Sequence, residues 1–395
     1  MRRSSDRILT THAGSLVRPP AILESLRAEA YGEAIDREAF ARHLRPAVAG
    51  VVRRQAQAGV DIPSDGEFGK VGWNNYVLER LTGLSISSER QGYRFVGKDR
   101  SAFPEFYAIY DRHQYTQWLP ESLNVRPELV RWECTGPVKY KGREAIDRDI
   151  ANFKAALAGA GVEEAFLPVA APGSIEASHV NRHYASAEEY LYAIADAMKE
   201  EYRAIVDAGL LLQVDDAFIP ALYDLRYSDL SMEEYGKFSE ARIEALNYAL
   251  AGIPPDRVRY HICWGSWNAP HVGDVALQDI VHLVLKVDAG AYSIEAANPR
   301  HEHEWTVWQE TKLPEGKVLI PGVVTHSTNV VEHPELVAWR IANFARLVGR
   351  ENVLGGTDCG FSQHWNLIRV HESVQWAKLE ALAEGAALAS KQLWA

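Results

Sequence analysis

The stretch Val258-Arg259-Tyr260-His261-Ile262-Cys263-Trp264-Gly265 alternates in the way of a β-strand that reaches its end. His261 and Cys263 lie two positions apart, so their side chains point to the same side of this strand. A neutral imidazole and a thiolate are ligands that zinc prefers. The stretch therefore predicts a strand whose carboxyl end offers two metal ligands.

Similar apolar runs recur along the chain and alternate with amphipathic helical stretches. This alternation is typical of βα units built around a parallel sheet. The eight candidate strands are Arg7 to Thr11, Gly59 to Ser64, Ala165 to Ala170, Gly209 to Val214, Val258 to Cys263, Ala291 to Ala296, Val318 to Val323 and Asn352 to Thr357. The candidate helices are Arg37 to Ala58, Ala187 to Ala208, Met232 to Ala251, Leu277 to Lys286, Pro334 to Leu347 and Glu372 to Leu388. We therefore expect an α/β protein with a (β/α)8 TIM-type barrel, and a doubly wound sheet is the second interpretation.

Residues from about 85 to 160 do not follow this pattern, because they are rich in aromatic and turn residues such as Phe103-Pro104-Glu105-Phe106-Tyr107. We interpret this stretch as an inserted aromatic-rich segment that covers one mouth of the barrel, with a further strand within Glu133 to Lys141. No flexible linker, tandem repeat or low-complexity tract interrupts the sequence. Residues 1 to 395 are thus expected to form a single domain.

Composition narrows the classes of protein to which this chain can belong. Its 395 residues are 47% hydrophobic and include 11 Trp and 17 Tyr, which is enough for a large core. The net charge of -11 argues against a nucleic-acid or anionic-membrane surface and favours small-molecule substrates. Three scattered cysteines do not form a disulfide framework, and no signal peptide or membrane-spanning run is recognisable. We therefore expect a cytoplasmic protein with reduced thiols, and the sequence leaves a homo-oligomer open.

Polar residues follow the candidate strands, at the end where barrel enzymes hold their active sites. Glu295 is the lone carboxylate of a mostly apolar strand end, and Cys359 follows the last apolar run. A bound cation would offset the cost of burying Glu295, which predicts a zinc site formed by His261, Cys263, Glu295 and Cys359. The alternative is that Glu295 pairs with a base such as Arg300 and that both cysteines are ordinary buried thiols.

Other strand ends carry candidates for proton transfer and binding. His326 is a candidate general acid, although it also fits a helix-capping loop. Asp215 and Asp216 alternate in direction, so at most one of them is expected to face a pocket. The sequence has no Gly-x-Gly-x-x-Gly after its first strand, no Walker motif and no Gly-x-Ser-x-Gly elbow. This disfavours dinucleotide binding, nucleotide triphosphate binding and serine hydrolysis.

Several motifs, taken in order, resemble the catalytic half of cobalamin-independent methionine synthase and the short stand-alone proteins of that superfamily. The resemblance runs from about Ile8 to Trp394. Its motifs are Thr10-Thr11-His12-Ala13-Gly14-Ser15, Asp65-Gly66-Glu67, Gln213-Val214-Asp215-Asp216, His261-Ile262-Cys263, Ile294-Glu295, His326-Ser327-Thr328-Asn329 and Asp358-Cys359-Gly360. The resemblance implies substrate binding by the loop of His12 and Ser15, and ammonium binding by Glu67 and Asp215.

The resemblance also implies the metal and the reaction. His261, Cys263, Glu295 and Cys359 match the family's zinc ligands, and His326 matches the histidine that is proposed to act as an acid. Zn2+ would bind the incoming thiol as a thiolate and make it nucleophilic near neutral pH. The implied enzyme is a zinc-dependent S-methyltransferase that converts homocysteine into methionine, with 5-methyltetrahydrofolate or another alkyl donor.

On the side of the methyl donor the chain departs from the full-length enzyme. The stretch Val169 to Glu176 has no tryptophan where the family stacks the folate ring, and Ala217-Phe218-Ile219-Pro220 replaces a charged family segment. Cys263-Trp264-Gly265-Ser266-Trp267-Asn268 looks more like the branch that includes epoxyalkane:coenzyme M transferase. The second interpretation is therefore zinc-thiolate chemistry at another electrophile, such as an epoxide. A third is a catalytically silent barrel that binds a small molecule or stores zinc.

Overall fold

A curled parallel β-sheet is the centre of the computed structural model, which describes residues 1–87, 97–113, 118–119, 123, 132–162, 164–265 and 267–395. Strands β3, β5, β6, β7, β8 and β9 pair in that order and are all parallel. The α/β class is therefore confirmed. The strands of the described residues are β1 (Leu84–Ile86), β2 (Trp132–Cys134), β3 (Phe166–Ala170), β4 (Val180–Asn181), β5 (Leu211–Asp215), β6 (Val258–Ile262), β7 (Ala291–Ile294), β8 (Val318–Val324), β9 (Gly356–Thr357), β10 (Ser362–His364) and β11 (Leu367–Ile368).

The long strands of this sheet are buried on both faces, which is why they read as apolar runs in the sequence. In β6, Val258, Tyr260 and Ile262 belong to the main hydrophobic core. Arg259 points to the concave side, where its guanidinium donates to Thr11 Oγ1 at 3.0 Å. The alternation along β6 therefore sends apolar side chains outward and polar ones into the curl of the sheet.

A second, smaller hydrophobic core lies on the concave side of the sheet. Most of the chain's apolar runs contribute to it. Its members are Ile62, Phe166, Leu211, Ala291, Val318, Ile320 and Leu354. Single bridges join Thr10 to Gly355 and Thr11 to Ile62, and Phe166 N donates to Pro63 O at 3.1 Å. Residues 10–11 thus pair beside β9, residues 62–63 pair beside them, and β3 follows, so hydrogen bonds continue from β9 round to β3.

The two candidate strands at Arg7 to Thr11 and Gly59 to Ser64 form isolated bridges, not ladders. Side chains compete here for the backbone groups of the ladder. Asp61 Oδ2 accepts from Thr10 N at 2.9 Å, and Thr10 Oγ1 donates to Gly59 O at 2.6 Å. Because these local bonds occupy backbone groups, strand pairing in these two segments is limited to single bridges.

Helices cover the outside of the sheet, and the six helices expected from the sequence are present with small shifts of their ends. The cap of α8 is Ser186, and α10 begins with a capping box of Ser231 and Glu234. None of the helices in the described ranges has the length and apolar character needed to span a membrane. The α-helices are α1 (Pro20–Ala30), α2 (Arg37–Gln57), α3 (Val77–Arg80), α4 (Lys98–Ala102), α5 (Pro104–His113), α6 (Arg143–Leu157), α7 (Pro172–Ser178), α8 (Ala187–Asp207), α9 (Phe218–Arg226), α10 (Met232–Leu250), α11 (Leu277–Val284), α12 (Pro334–Val348) and α13 (Glu372–Leu393).

The expected insertion at about 85 to 160 is only partly within the described residues. Its described part contains α4, α5 and α6, and the further strand expected there is the short β2. Strand β2 pairs with β1 and β4 in a small separate sheet. Asp99 in α4 accepts from Val272 N at 2.8 Å, which ties this segment to the loop that follows β6.

A buried ion pair joins α6 to the end of α3. Arg80 donates to Asp149 Oδ2 at 2.6 Å, and the two side chains are 0% and 4% exposed. Although burial raises the pKa of Asp149, Arg148 and Arg80 outweigh it, so the pKa is lowered. The pair therefore stabilises the fold at neutral pH, and this contribution is lost as the pH falls through the folded-state pKa of Asp149.

Removing this carboxylate is expected to destabilise the protein strongly. In Asp149→Ala the buried Arg80 loses its hydrogen-bonded carboxylate and keeps only Glu79, at 3.8 Å, so we expect the free energy of unfolding at pH 7 to fall by about 3 kcal/mol. The matched control is Asp147→Ala on the same helix, whose partner Arg143 is exposed, and we expect little change there. Urea unfolding followed by circular dichroism measures both variants, and equal losses would contradict this account.

Candidate active site

Two cysteines and a histidine converge at the carboxyl end of the sheet. His261 lies in β6, Cys263 directly follows this strand, and Cys359 follows β9. A ring nitrogen of His261 and the two sulfurs lie within 4.8 Å of one another, and the three residues are buried. The sulfurs are 3.3 Å apart and both thiols are free. One nitrogen and two sulfurs at this spacing can hold a metal ion.

The surroundings of His261 fit the role of a metal ligand. Its Nδ1 lies 3.0 Å from Ser293 Oγ in β7. When Nδ1 donates this hydrogen bond, Nε2 carries the lone pair that a metal requires. Nε2 is buried and has no nitrogen or oxygen partner among the described residues. Ser293 therefore orients the imidazole, whose other hydrogen-bonding contact is with the thiol of Cys359.

A second group of ligand atoms shares Cys359 with the first. Glu295, His326 and Cys359 have one ligand atom each within 4.8 Å of one another. Glu295 is fully buried, and its Oε2 accepts from Asn298 Nδ2 at 3.2 Å. The structure thus brings Glu295 to Cys359, and it also brings His326 there, which the sequence had suggested only as an acid.

The two thiols differ in their ionisation. The hydrogen bond with Cys263 holds the pKa of Cys359 well below its usual range, against the effect of burial and with help from His261 and His326. The same hydrogen bond, together with burial, holds the pKa of Cys263 well above its usual range. The hydrogen bond between the two thiols therefore favours ionisation of Cys359 over that of Cys263. Thiolate is the form that binds metals.

A cavity of about 400 Å³ opens above this group. It is large enough for a small ligand. Of the residues singled out in the sequence, its lining includes Ser15, Glu67, Asp215, His261, Cys263 and Cys359. The cavity therefore connects the thiols to two acids from other strand ends.

Glu67 is held in an unusual backbone conformation beside this cavity. Its φ is +58°, in the left-handed region that non-glycine residues rarely adopt. Its Oε2 is buried and has no hydrogen-bond partner among the described residues. Burial raises its pKa, although Lys70 and Arg18 oppose the effect. A Cβ at Gly14 would lie 3.0 Å from Glu67 Oε1, so the glycine allows this close approach.

Asp215 ends β5 and faces the same cavity, whereas Asp216 faces away from it, as the alternation predicted. Gln213 Nε2 donates to Asp215 Oδ1 at 2.8 Å. Burial raises the pKa of Asp215 to about 8, with His261 lowering it and Glu67 raising it. Asp216 accepts from Ser174 Oγ at 2.7 Å and from the hydroxyl of Tyr260 at 2.9 Å. Asp215 can thus contact a ligand in the cavity, whereas both oxygens of Asp216 are hydrogen-bonded within the protein.

His12 and Ser15, the two predicted substrate-binding residues of the first loop, differ in their relation to the cavity. Ser15 lines the cavity, but His12 does not. His12 Nε2 lies 2.7 Å from Gln55 Oε1, and its Nδ1 accepts from Gly14 N at 3.1 Å. Both ring nitrogens of His12 are therefore used within the protein, behind the wall that Ser15 forms.

Among the cavity residues that the sequence analysis missed, Trp73 and Gln363 lie beside the thiols. Trp73 packs against the cluster of Ala217, Cys263 and Cys359 and makes an edge contact with Phe218 at 5.4 Å between ring centroids. Gln363 lines the cavity and donates from Nε2 to Cys359 Sγ at 3.3 Å. Neither residue stands at the end of a long apolar run, and the pattern of the sequence contains no signal for either contact.

Several known proteins resemble this chain over most of its length. The methionine synthase of Saccharolobus solfataricus is 24% identical over 387 residues, which cover 97% of this chain and 95% of that protein. The 2-hydroxypropyl-CoM lyase of Xanthobacter autotrophicus is 24% identical over 376 residues, covering 89% and 86%. A solved B12-independent methionine synthase from Shewanella sp. W3-18-1, in complex with selenomethionine, has the same fold, with a TM-score of 0.71, 18% identity and coverage of 98% and 99%.

A family model decides the assignment. The model for the catalytic domain of cobalamin-independent synthase matches residues 169–378, which carry the sheet from the end of β3 to β9 and both groups of ligand atoms. This match spans more than half of the chain. The resemblance noted in the sequence is thereby confirmed, and the chain belongs to the cobalamin-independent synthase catalytic-domain family.

Proposed function

We propose that this chain is a zinc-dependent thiol alkyltransferase that transfers a methyl group to homocysteine and forms methionine. One observation carries the proposal: the ligand atoms of His261, Cys263 and Cys359 share a single cavity with the carboxylates of Glu67 and Asp215. Soft ligands at one end suit a metal that activates a thiol. Acids at the other end suit an ammonium group.

His261, Cys263 and Cys359 would hold the zinc ion, with Glu295 as the fourth ligand. The Nε2 of His261, which has no nitrogen or oxygen partner among the described residues, and the lowered pKa of Cys359 support this choice. Bound zinc would lower the pKa of the incoming thiol, so that its sulfur is nucleophilic near neutral pH. Glu295 is the ligand that groups with His326 around Cys359.

The chain's own groups would orient homocysteine. Glu67 Oε2 and the carboxyl group of Asp215 would accept from its ammonium group, whose positive charge would lower the raised pKa of Asp215, and Ser15 Oγ would donate to its carboxylate. His12 would act indirectly, by fixing the backbone of Gly14 in the same loop.

His326 would handle the proton. Burial lowers the pKa of His326 to about 4, so the imidazole is neutral at pH 7. It can take the proton that the thiol loses and return it to the departing donor once sulfur has attacked the methyl carbon. The methyl–donor bond breaks with its electron pair on the donor, so protons and electrons balance.

We also propose that the chain is one domain whose sheet closes into an eight-position barrel. Support comes from the bridges at Thr10 and Thr11 and from the inner core that spans the sheet. The insertion would then lie over the mouth, where Arg100 and Trp132 line the cavity. Free thiols at the described cysteines support a location in the cytoplasm.

Removing the metal is expected to abolish the reaction reversibly. We expect purified protein to contain one zinc ion per chain and to lose methionine formation after dialysis against 1,10-phenanthroline. Adding zinc should restore activity. Elemental analysis together with chromatographic measurement of methionine tests this, and full activity in zinc-free protein would overturn the proposal.

The alternative is zinc-thiolate chemistry at another electrophile, such as an epoxide. One observation favours it: Arg369 lines the same cavity and could bind an anionic thiol, such as a sulfonate. A matrix of two thiols, homocysteine and 2-mercaptoethanesulfonate, against methyl donors and epoxypropane separates the two functions. Methionine from homocysteine supports the first function, and thiol-dependent loss of the epoxide supports the second.

A further inference from the structure

Gln363 lies between the thiol of Cys359 and the guanidinium of Arg369. It stands in β10, in the short hairpin that β10 forms with β11 just after Cys359. Its Nε2 donates to Cys359 Sγ at 3.3 Å, and its Oε1 accepts from Arg369 Nε at 2.8 Å. A guanidinium can only donate, so the oxygen of the amide must face Arg369 and the nitrogen must face the sulfur. Arg369 therefore fixes the orientation of the amide.

The backbone of Gln363 also holds Trp73, an aromatic residue of the cavity lining. Gln363 O accepts from Trp73 N at 2.9 Å, and Trp73 packs against the cluster that contains the two thiols. On the other side of the hairpin, Trp365 N donates to Val71 O at 2.7 Å. Gln363 Nε2 also lies 3.5 Å from His326 Nε2, at the long limit of a hydrogen bond. Gln363 thus contacts Cys359, Trp73 and His326.

We propose that Gln363 is a positioning residue for the thiolate of Cys359, and that Arg369 acts through it. This inference rests on the metal centre proposed above. A hydrogen bond to the sulfur draws electron density from the thiolate and weakens its donation to the metal. The metal then stays more electron-poor and activates the incoming thiol more strongly. Partners of this kind tune the metals that their ligands bind.

Substitution of the protein with Co2+ gives a readout that does not depend on turnover, because cobalt thiolates absorb in the near ultraviolet by charge transfer from sulfur. Loss of a hydrogen bond raises the energy of the sulfur electrons. We therefore expect Gln363→Glu and Gln363→Leu to move this band to longer wavelength. Arg369→Met should move it less, since the amide is kept but is free to rotate.

Kinetics provide the second readout. In the zinc enzyme we expect kcat to fall by about 10-fold to 100-fold in both Gln363 variants, with little change in the KM for homocysteine. The matched control is Gln375→Glu, another buried glutamine, whose Oε1 accepts from Val17 N at 2.7 Å outside the cavity lining. That exchange keeps the acceptor, so neither the band nor kcat should change.

The outcomes are distinct. An unchanged band in folded Gln363→Glu, which keeps the shape of the side chain, would overturn the inference even if Gln363→Leu does not fold. A band that shifts equally in Gln375→Glu would do the same. A wild-type protein with no cobalt–thiolate band would overturn the proposed metal centre, and this inference with it.

Discussion

Cys359→Ser is expected to remove the metal and to lower the rate of thiol alkylation by about 10³-fold or more. Among the described residues, Cys359 is the one that both groups of ligand atoms share. It is also the thiol whose pKa is held well below its usual range. A serine hydroxyl stays protonated and binds zinc poorly, so the site loses its thiolate and its central ligand. Metal catalysis is worth several kcal/mol, and each 1.4 kcal/mol is a factor of ten in rate.

Elemental analysis and initial rates of methionine formation measure this effect in the same preparation. Cys134→Ser is the matched control, because Cys134 is also fully buried but lies in β2, where its sulfur donates to Gly136 O at 3.4 Å. We expect that control to keep its zinc and its rate. A Cys359→Ser protein with a full zinc content would show that the metal binds elsewhere.

The sequence predicted the sheet well where strands are buried on both faces. The expected strand Val318 to Val323 is observed as Val318–Val324, because such strands are nearly continuous apolar runs. Helix α6 was not predicted, although it has 15 residues. Its inner stripe contains Asp149, whose burial depends on Arg80 from a distant segment. An apolar pattern cannot reveal a buried charge that is paired through the tertiary structure.

The same limit applies to the site. The directions of His261 and Cys263 followed from alternation within one strand, which is a local property. The contacts of Gln363 and Trp73 with the thiols depend on how the hairpin after Cys359 meets a loop that lies far away in the sequence. A single residue in a loop or in a three-residue strand leaves no periodicity, so these contacts can be identified only in the folded structure.

Glu67→Gln is expected to weaken binding of homocysteine selectively. The carboxylate lies in the cavity with one buried oxygen that has no partner among the described residues, and an ammonium group would supply it. A hydrogen bond between charged groups contributes about 1.5–3 kcal/mol, which corresponds to an increase of about 10-fold to 100-fold in the KM for homocysteine. Glutamine keeps the shape of the side chain beside Gly14, so kcat should change much less.

Comparison with 4-mercaptobutyrate, which has the thiol and carboxylate of homocysteine but no ammonium group, isolates the charge effect. The wild-type protein should prefer homocysteine, and Glu67→Gln should lose that preference because its KM for 4-mercaptobutyrate hardly changes. Asp215→Asn should behave in the same way. Asp216→Asn is the control at the same strand end: its carboxylate is bonded to Ser174 and Tyr260, so stability should fall while the preference remains. Equal increases in KM for both thiols in Glu67→Gln would mean that Glu67 shapes the cavity but does not bind the ammonium group.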